Sequence, residues 1–340
     1  MTETPHDALF KAVFSEPARA AEAVAFTLGP EIARLIDFST LRLVDGSFVD
    51  EDLRGHHTDL LFTAQLAGCP VFFHLLFEHQ SSADWAMALR LLRYMVRIWV
   101  AHCVAHPHQR KLPLIVPVVL SHNDPGWRAS TDFADLIDLP DAARELLRPF
   151  IPKFRFALDD LTAAGAEALY QRAVSVQVRL ACLALLEGRR TRPLGDLLRG
   201  WFDLMAEAGA NPTAVRALEL VLRYLLDVRG ADEYYPAIET TAREIRNHRE
   251  GHLMETIAQM LRREGRTEGR TEGRTEGRTE GRTEGRRELV RRMLHRRFGD
   301  VPAAVLTRLE GADIATLDRW ADLLMDDPHG SRGLAALLDV

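Results

Sequence analysis

Two short apolar runs, Thr58-Asp59-Leu60-Leu61-Phe62 and Phe73-His74-Leu75-Leu76-Phe77-Glu78-His79-Gln80, constrain this chain more than any other feature. Both read as strands that deliver polar residues at a defined point, Asp59 at the start of the first and Glu78 with Gln80 at the end of the second. Residues i and i+2 of a strand share a face, so Glu78 and Gln80 are expected to address one point together while His79 faces away. A carboxylate on each of two neighbouring strands, with a polar side chain two residues beyond the second, suits metal-dependent phosphodiester chemistry. Two hard oxygen ligands fit Mg²⁺, which is usually held by one or two carboxylates plus phosphate and water. A charge closing a run as apolar as VFFHLLF is costly unless it is paired or metal-bound, which favours a functional reading of Asp59 and Glu78 over a chance placement at strand ends.

The surrounding pattern supplies a scaffold. From His6 to about Leu28 apolar residues recur at helical spacing, with Pro17 as a break. Thr40 to Val49, Thr58 to Leu66 and Pro70 to Phe77 are β-branched or aromatic runs divided by Asp45-Gly46, Gly55 and Gly68, predicting an antiparallel three-stranded meander. Asp84 to His102 lacks Gly and Pro and reads as a helix. Leu112 to Leu120 is almost wholly apolar, the signature of a central strand buried on both faces, although Pro113 and Pro117 cannot donate to a ladder. Helix, three strands, helix, strand is the order of a small α/β nuclease core. From Asp159 to Arg263 the chain is rich in Leu and Ala, with breaks near Gly188, Gly209 to Pro212 and Gly230, which predicts four or five helices. Residues 1–155 are therefore read as the core, 156–263 as a helical region, 264–288 as a repeat and 289–340 as a helical tail with Gly299 as a stop signal. A chain of 340 residues with 47% hydrophobic content can bury more than one core.

Five uninterrupted copies of Gly-Arg-Thr-Glu run from Gly265 to Glu284. Each glycine costs a helix about 1 kcal/mol relative to alanine, and the i,i+4 neighbours are Glu on Glu and Arg on Arg. This favours a solvated linker with partial helix over a stable helix. From Leu261 to Arg297, thirteen arginines against seven glutamates leave an excess of six positive charges in a chain whose net charge is -6. That asymmetry permits nucleic-acid contact. Only Lys11, Lys111 and Lys153 are lysines, so nearly all positive charge is arginine.

Arg90, Arg93 and Arg97 fall at i, i+3 and i+7 of the helix after the second run, forming a basic stripe that either holds a DNA backbone or is a solvated face. Leu91, Leu92, Met95, Val96 and Trp99 are expected to be core on the opposite faces. His102 with His106, and His248 with His252, have zinc-compatible spacing on a helix but lack a third ligand in register, so helix-end or surface roles are favoured. His56 and His57 read as turn residues. Cys69, Cys103 and Cys182 share no motif spacing and read as small buried hydrophobes. No stretch reaches the roughly 18 apolar residues of a bilayer span, and Met1 to Asp7 has no basic or apolar leader, so a cytoplasmic protein is expected.

His6-Asp7-Ala8-Leu9-Phe10-Lys11, Ser47-Phe48-Val49-Asp50-Glu51, Thr58-Asp59-Leu60-Leu61-Phe62, Glu78-His79-Gln80-Ser81-Ser82 and Arg90-Leu91-Leu92-Arg93-Tyr94 together resemble the Rpn family of recombination-promoting nucleases, also known as YhgA-like transposases. The likeness is strong over about the first 125 residues, and Arg296-Arg297-Phe298-Gly299 resembles that family's tail. It implies a restriction-endonuclease-like PD-(D/E)XK core with an all-helical C-terminal extension, metal-dependent cleavage of double-stranded DNA, and a role in recombination, mobile-element biology or phage defence. It implies Mg²⁺, or alternatively Mn²⁺ or Ca²⁺, on Asp59 and Glu78, with Gln80 where the superfamily has lysine. Glutamine can orient water but supplies no charge, which makes Lys11 the candidate to restore it. Asp7 otherwise reads as a helix-capping residue, and the resemblance makes it a third acid of the site. No proline precedes Asp59, a departure from the superfamily pattern. The rival reading is a non-catalytic DNA-binding or assembly protein on the same fold. A third gives the helical region beyond the repeat a role in self-association, producing a homo-oligomer.

Overall fold

The computed structural model describes residues 4–44, 59–78, 85–124, 126–244 and 249–326, with the backbone alone at 75–78, 249–253, 268, 272 and 276. The expected turn at Asp45-Gly46, His56, His57, Gln80 and His248 lie outside these residues. The chain forms two compact units, Met1–Gln259 and Met260–Val340.

In the first unit, Pro17 separates α1 (Pro5–Phe14) from α2 (Pro17–Leu28), each opening on a proline whose missing N–H costs nothing in a first turn. A single turn, α3 (Pro30–Ala33), leads into β1 (Ile36–Leu43). β2 (Asp59–Leu66) and β3 (Cys69–Glu78) form a hairpin closed by Ala67 and Gly68 at φ 50° and 80°, the left-handed pair that a two-residue turn requires. α4 (Met87–Ala105) crosses to β4 (Leu114–Ser121), and α5 (Asp141–Leu147) precedes β5 (Ala157–Asp160). The five strands lie side by side in chain order, β1, β2 and β3 antiparallel, β3, β4 and β5 parallel.

The expected meander is present, but its first strand is Ile36–Leu43, earlier than the Thr40 to Val49 run suggested. β4 is the expected interior strand, between β3 and β5. Its Pro117 pairs with His74 on one side, while β5 reaches only Val118–Ser121, so at Pro117 the strand is locally an edge and tolerates a proline. β5 itself occupies ground expected to begin the helical region; four residues are too few to show a period.

α4 lies against the sheet through Met87, Leu91, Tyr94, Met95 and Ile98, which pack with Leu61, Phe72, Ile115 and Val119. Val96 departs from its expected core position and is 46% exposed. Cys69 and Cys103 are exposed free thiols, and only Cys182 is the buried hydrophobe expected. Burial pushes the Cys182 thiol up to about 12, and the nearby Asp159 carboxylate pushes in the same direction.

The helical region runs through α6 (Leu161–Tyr170), α7 (Val176–Glu187), α8 (Leu194–Gly200), α9 (Phe202–Ala210), α10 (Pro212–Arg229) and α11 (Ala231–Glu244), with breaks at Gly188, Pro212 and Gly230 as expected. Six helices replace the four or five expected, because α8 and α9 are divided at Gly200 and Trp201, a glycine break that the sequence reading did not mark. α7 is buried nearly all round, which makes it the centre of this layer. No helix among the described residues is long and apolar enough to cross a membrane.

α12 (Arg249–Phe298) carries the repeats. They are helical where a linker with partial helix was favoured, and the hydroxyls of Thr267, Thr271, Thr275, Thr279 and Thr283 each donate to the carbonyl four residues back, at 2.8 to 3.0 Å, so they are satisfied within the helix without adding to its stability. A Cβ added at Gly265, Gly269, Gly273, Gly277, Gly281 or Gly285 would meet nothing within 4 Å. Replacing Gly269, Gly273 and Gly277 together by alanine is therefore expected to stabilise this helix by about 1 kcal/mol per site, read as a higher melting temperature of the second unit by far-ultraviolet circular dichroism. An unchanged or lower value would show that the glycines are needed. α12 ends at Gly299 (φ 71°), and α13 (Ala303–Gly311) and α14 (Ile314–Asp326) fold back on it around Val290, Leu294, Leu309, Leu317 and Trp320.

Candidate functional site

The start of β2 and the ends of β3 and β4 meet at one edge of the sheet because β2 runs against the other two. Asp59 is the Cα partner of Leu76, which in turn partners Val119, so the three form a row across β2, β3 and β4. Two residues beyond that row, and therefore with the same parity, stand Glu78 on β3 and its partner Ser121 on β4. The register thus brings the backbones of the two expected acidic positions to one end and one side of the sheet. Val119 and Leu61, of the same parity, pack against α4, so this is the α4 side.

Asp59 is enclosed, with its side chain 13% exposed, and among the described residues neither carboxylate oxygen receives a hydrogen bond. Its nearest recorded ionic neighbour is His74 Nε2 at 3.7 Å from Oδ2, too long for a hydrogen bond. His74 sits two residues before Leu76, is buried, and leaves Nδ1 without a partner. Its ring meets Tyr94 edge-on at 5.1 Å. The Tyr94 hydroxyl is pushed up to about 12, first by burial and then by the Asp59 carboxylate, with Arg90 and Arg93 acting in the opposite direction. The Tyr94 phenol therefore stays protonated and neutral at ordinary pH.

Of the basic stripe, Arg90 and Arg97 are half-buried and Arg93 is exposed, its guanidinium 5.7 Å from the centre of the Tyr94 ring. Arg90 and Arg93 thus both stand beside Tyr94.

Asp7 closes a capping box at the start of α1: its N–H donates to Thr4 Oγ1 at 3.2 Å, and the Thr4 N–H and hydroxyl donate to Asp7 Oδ2 at 3.1 and 2.8 Å. The neighbouring His6 is 2.9 Å through Nδ1 from the Tyr224 hydroxyl of α10, and its ring lies 5.3 Å from that of His122, just after β4. These contacts bring the first turn of α1 to the end of β4. Lys11, half-buried, follows Asp7 by one helical turn. The zinc reading of His102 and His106 gives way to internal bonds: His102 Nε2 is 2.7 Å from Gln109 Oε1, and His106 Nδ1 is 3.1 Å from the His102 carbonyl. Among the described residues no three His, Cys, Asp or Glu side chains form a ready-made metal cluster.

The sequence reading passed over His74, Tyr94, Ser121 and Asn123. A signal existed for two of them. His74 interrupts an apolar run at the parity of Glu78, and Tyr94 stands one helical turn from Arg90.

The family described as "Putative transposase, YhgA-like" matches residues 4–212. Recombination-promoting nuclease RpnA of Escherichia coli (strain K12) is 30% identical over 266 residues, 78% of this chain and 85% of the relative. Recombination-promoting nuclease RpnD of Escherichia coli O157:H7 is 31% identical over 255 residues, 73% of this chain and 91% of the relative. Inactive recombination-promoting nuclease-like protein RpnE of Escherichia coli (strain K12) is 29% identical over 270 residues, 78% and 83% of the two chains. No solved structure matches the chain. With α1, α4 and the whole sheet inside the matched residues, the chain belongs to the YhgA-like transposase family and is a relative of the recombination-promoting nucleases.

Proposed function

We propose that this protein is a divalent-metal-dependent DNA endonuclease acting in recombination in the cytoplasm, built on a PD-(D/E)XK core. The observation that carries the reading is the Asp59 carboxylate, enclosed, without a hydrogen-bond donor, and in register with the strand that ends at Glu78. A buried carboxylate left so costs several kcal/mol unless a cation completes it, and the all-oxygen donor set of two carboxylates is that of Mg²⁺ or its analogues. The names of RpnA and RpnD support nuclease chemistry at such a site.

Bound there, Mg²⁺ would neutralise charge on the scissile phosphate and lower the pKa of a water molecule. Asp59 and Glu78 hold the cation, and Gln80 orients the attacking water. Asp7 adds a third acid from α1, and Lys11 supplies the positive charge that glutamine lacks. Tyr94 stands in the field of Asp59 with Arg90 near it, while Arg93 and Arg97 continue the basic face along which double-stranded DNA lies, held through its phosphates. The helical region beyond the repeat serves self-association of the chain.

The relative named inactive, RpnE, together with Gln80 in place of lysine, supports the rival reading of a DNA-binding protein without catalysis. Incubating the purified protein with supercoiled plasmid and Mg²⁺, Mn²⁺, Ca²⁺ or EDTA separates the two. Nicking that a metal supports and EDTA stops is the expected result; DNA binding with no cleavage under any of these conditions would establish the rival.

A further inference from the structure

Several buried polar atoms on β2, β3, β4 and the turn after β4 have no hydrogen-bond partner among the described residues. Besides both oxygens of Asp59 and Nδ1 of His74, they include the Ser121 hydroxyl, in a residue 0% exposed, and both amide atoms of Asn123, 3% exposed. Each buried polar group left unbonded costs about 1–3 kcal/mol, and native proteins tolerate few without a reason. Ser121 is the direct partner of Glu78 across the β3–β4 pair and has the parity of Asp59 and His74, while Asn123 follows two residues later.

Local turn chemistry does not explain Asn123. Its carbonyl accepts from Gly126 N at 2.6 Å and closes a turn, but its side chain takes no part. The loop is held independently. Asp160, the β5 partner of Ser121, accepts from Trp127 N through Oδ2 at 2.7 Å, and through Oδ1 it caps α6 at Thr162 N and Ala163 N. Gly126 has φ 105°, and a Cβ there would stand 3.3 Å from Asp160 Oδ2, so the approach needs glycine. A loop anchored through Asp160 that carries two unbonded polar side chains at the strand end paired with Glu78 suits a preorganised site.

We infer that Ser121 and Asn123 are positioning residues of the cation site, their hydroxyl and amide fixing the water of the hydration shell that Asp59 and Glu78 leave in place. This rests on the cation reading above. Mg²⁺ gives up its water reluctantly and keeps several molecules in protein sites, and outer partners of this kind typically change affinity or activity by 10–100-fold when lost. Both groups are neutral, and each can accept from and donate to water. They add order to the site without adding charge.

The test is calorimetric titration of Mg²⁺ and Mn²⁺ into the full chain without DNA, for wild type, Ser121→Ala, Asn123→Leu and Asp59→Asn, beside metal-free melting curves. The expected result is an affinity about 10–100-fold weaker in each of the first two variants, no binding by Asp59→Asn, and metal-free melting temperatures equal to or above wild type. The last point separates positioning from packing, since removing an unbonded buried polar group does not destabilise a protein that gains nothing from it. Wild-type affinity in Ser121→Ala and Asn123→Leu, with Asp59→Asn silent, overturns the inference and spares the cation reading. Loss of affinity together with a lowered metal-free melting temperature also overturns it, in favour of a packing role. Wild-type affinity in Asp59→Asn sinks the cation reading itself.

Discussion

Asp59→Ala and Asp59→Asn are expected to abolish metal-dependent cleavage, by about 10³-fold or more, while leaving the fold intact. A metal held against a scissile phosphate supplies several kcal/mol of transition-state stabilisation, and about 4 kcal/mol is the equivalent of that loss in rate. The asparagine variant is the sharper of the two. It keeps the shape of the side chain and removes only the charge, so the packing of Leu60, Leu61 and Phe62 behind it is undisturbed. Because neither Asp59 oxygen accepts a hydrogen bond among the described residues, the metal-free protein loses there no contact stronger than the 3.7 Å approach of His74. The metal-free melting temperature should therefore stay level or rise, and the stabilisation that added Mg²⁺ gives the wild type should vanish. Cleavage by Asp59→Asn at a rate near wild type would remove this residue from the site. A large fall in its metal-free stability would instead make Asp59 structural.

How far the site was legible follows from how each residue signals itself. Asp59 and Glu78 stood out because a charge at the end of an apolar strand violates the local pattern, and the hairpin register that puts them in adjacent rows follows from a two-residue turn at Ala67 and Gly68. Ser121 and Asn123 carried no such signal. A serine and an asparagine after an apolar strand are what any turn contains, and only their burial beside unbonded neighbours sets them apart. Tertiary contact also decided what periodicity left open. Val96 fits an apolar helix face but lies off the strip of α4 that the sheet covers. The repeat is helical where a linker with partial helix was favoured, since it continues a helix that begins at Arg249 and ends in the packed segment around Val290 and Leu294, and a helix extended from formed turns avoids the cost of nucleation. β5 was missed because its four residues pair only through the parallel register with β4, which no local pattern encodes.

The largest effect on stability is expected away from the site, at the Asp159–Arg172 pair. Arg172 Nη1 and Nη2 donate to Asp159 Oδ2 and Oδ1 at 2.6 and 2.9 Å, with both residues buried, and the guanidinium lies 4.0 Å from the centre of the Phe26 ring. Burial alone would lower the Arg172 pKa, but the hydrogen bonds and charge of Asp159 outweigh it and the net shift is upward. The pair ties β5 and the chain beyond α6 to α2, three pieces that share no continuous apolar run. Arg172→Leu leaves the Asp159 carboxylate buried without its partner, at an expected cost of about 3–5 kcal/mol. For a unit of this size that corresponds to a melting temperature lower by roughly 2–4 °C per kcal/mol. The double variant Asp159→Leu with Arg172→Leu removes both charges and should recover most of that loss, because the penalty in the single variant comes from the stranded carboxylate rather than from the missing attraction. Thermal melts of the two single variants and the double one decide this, and a double variant no more stable than Arg172→Leu, with Asp159→Leu near wild type, would mean that Arg172 acts through packing on Phe26 and not through charge. The outcome bears on catalysis as well. Asp160, next in the chain, holds the turn that presents Asn123. A β5 loosened by Arg172→Leu should therefore weaken cation binding in the folded fraction of that variant, and the double variant should restore it in step with stability.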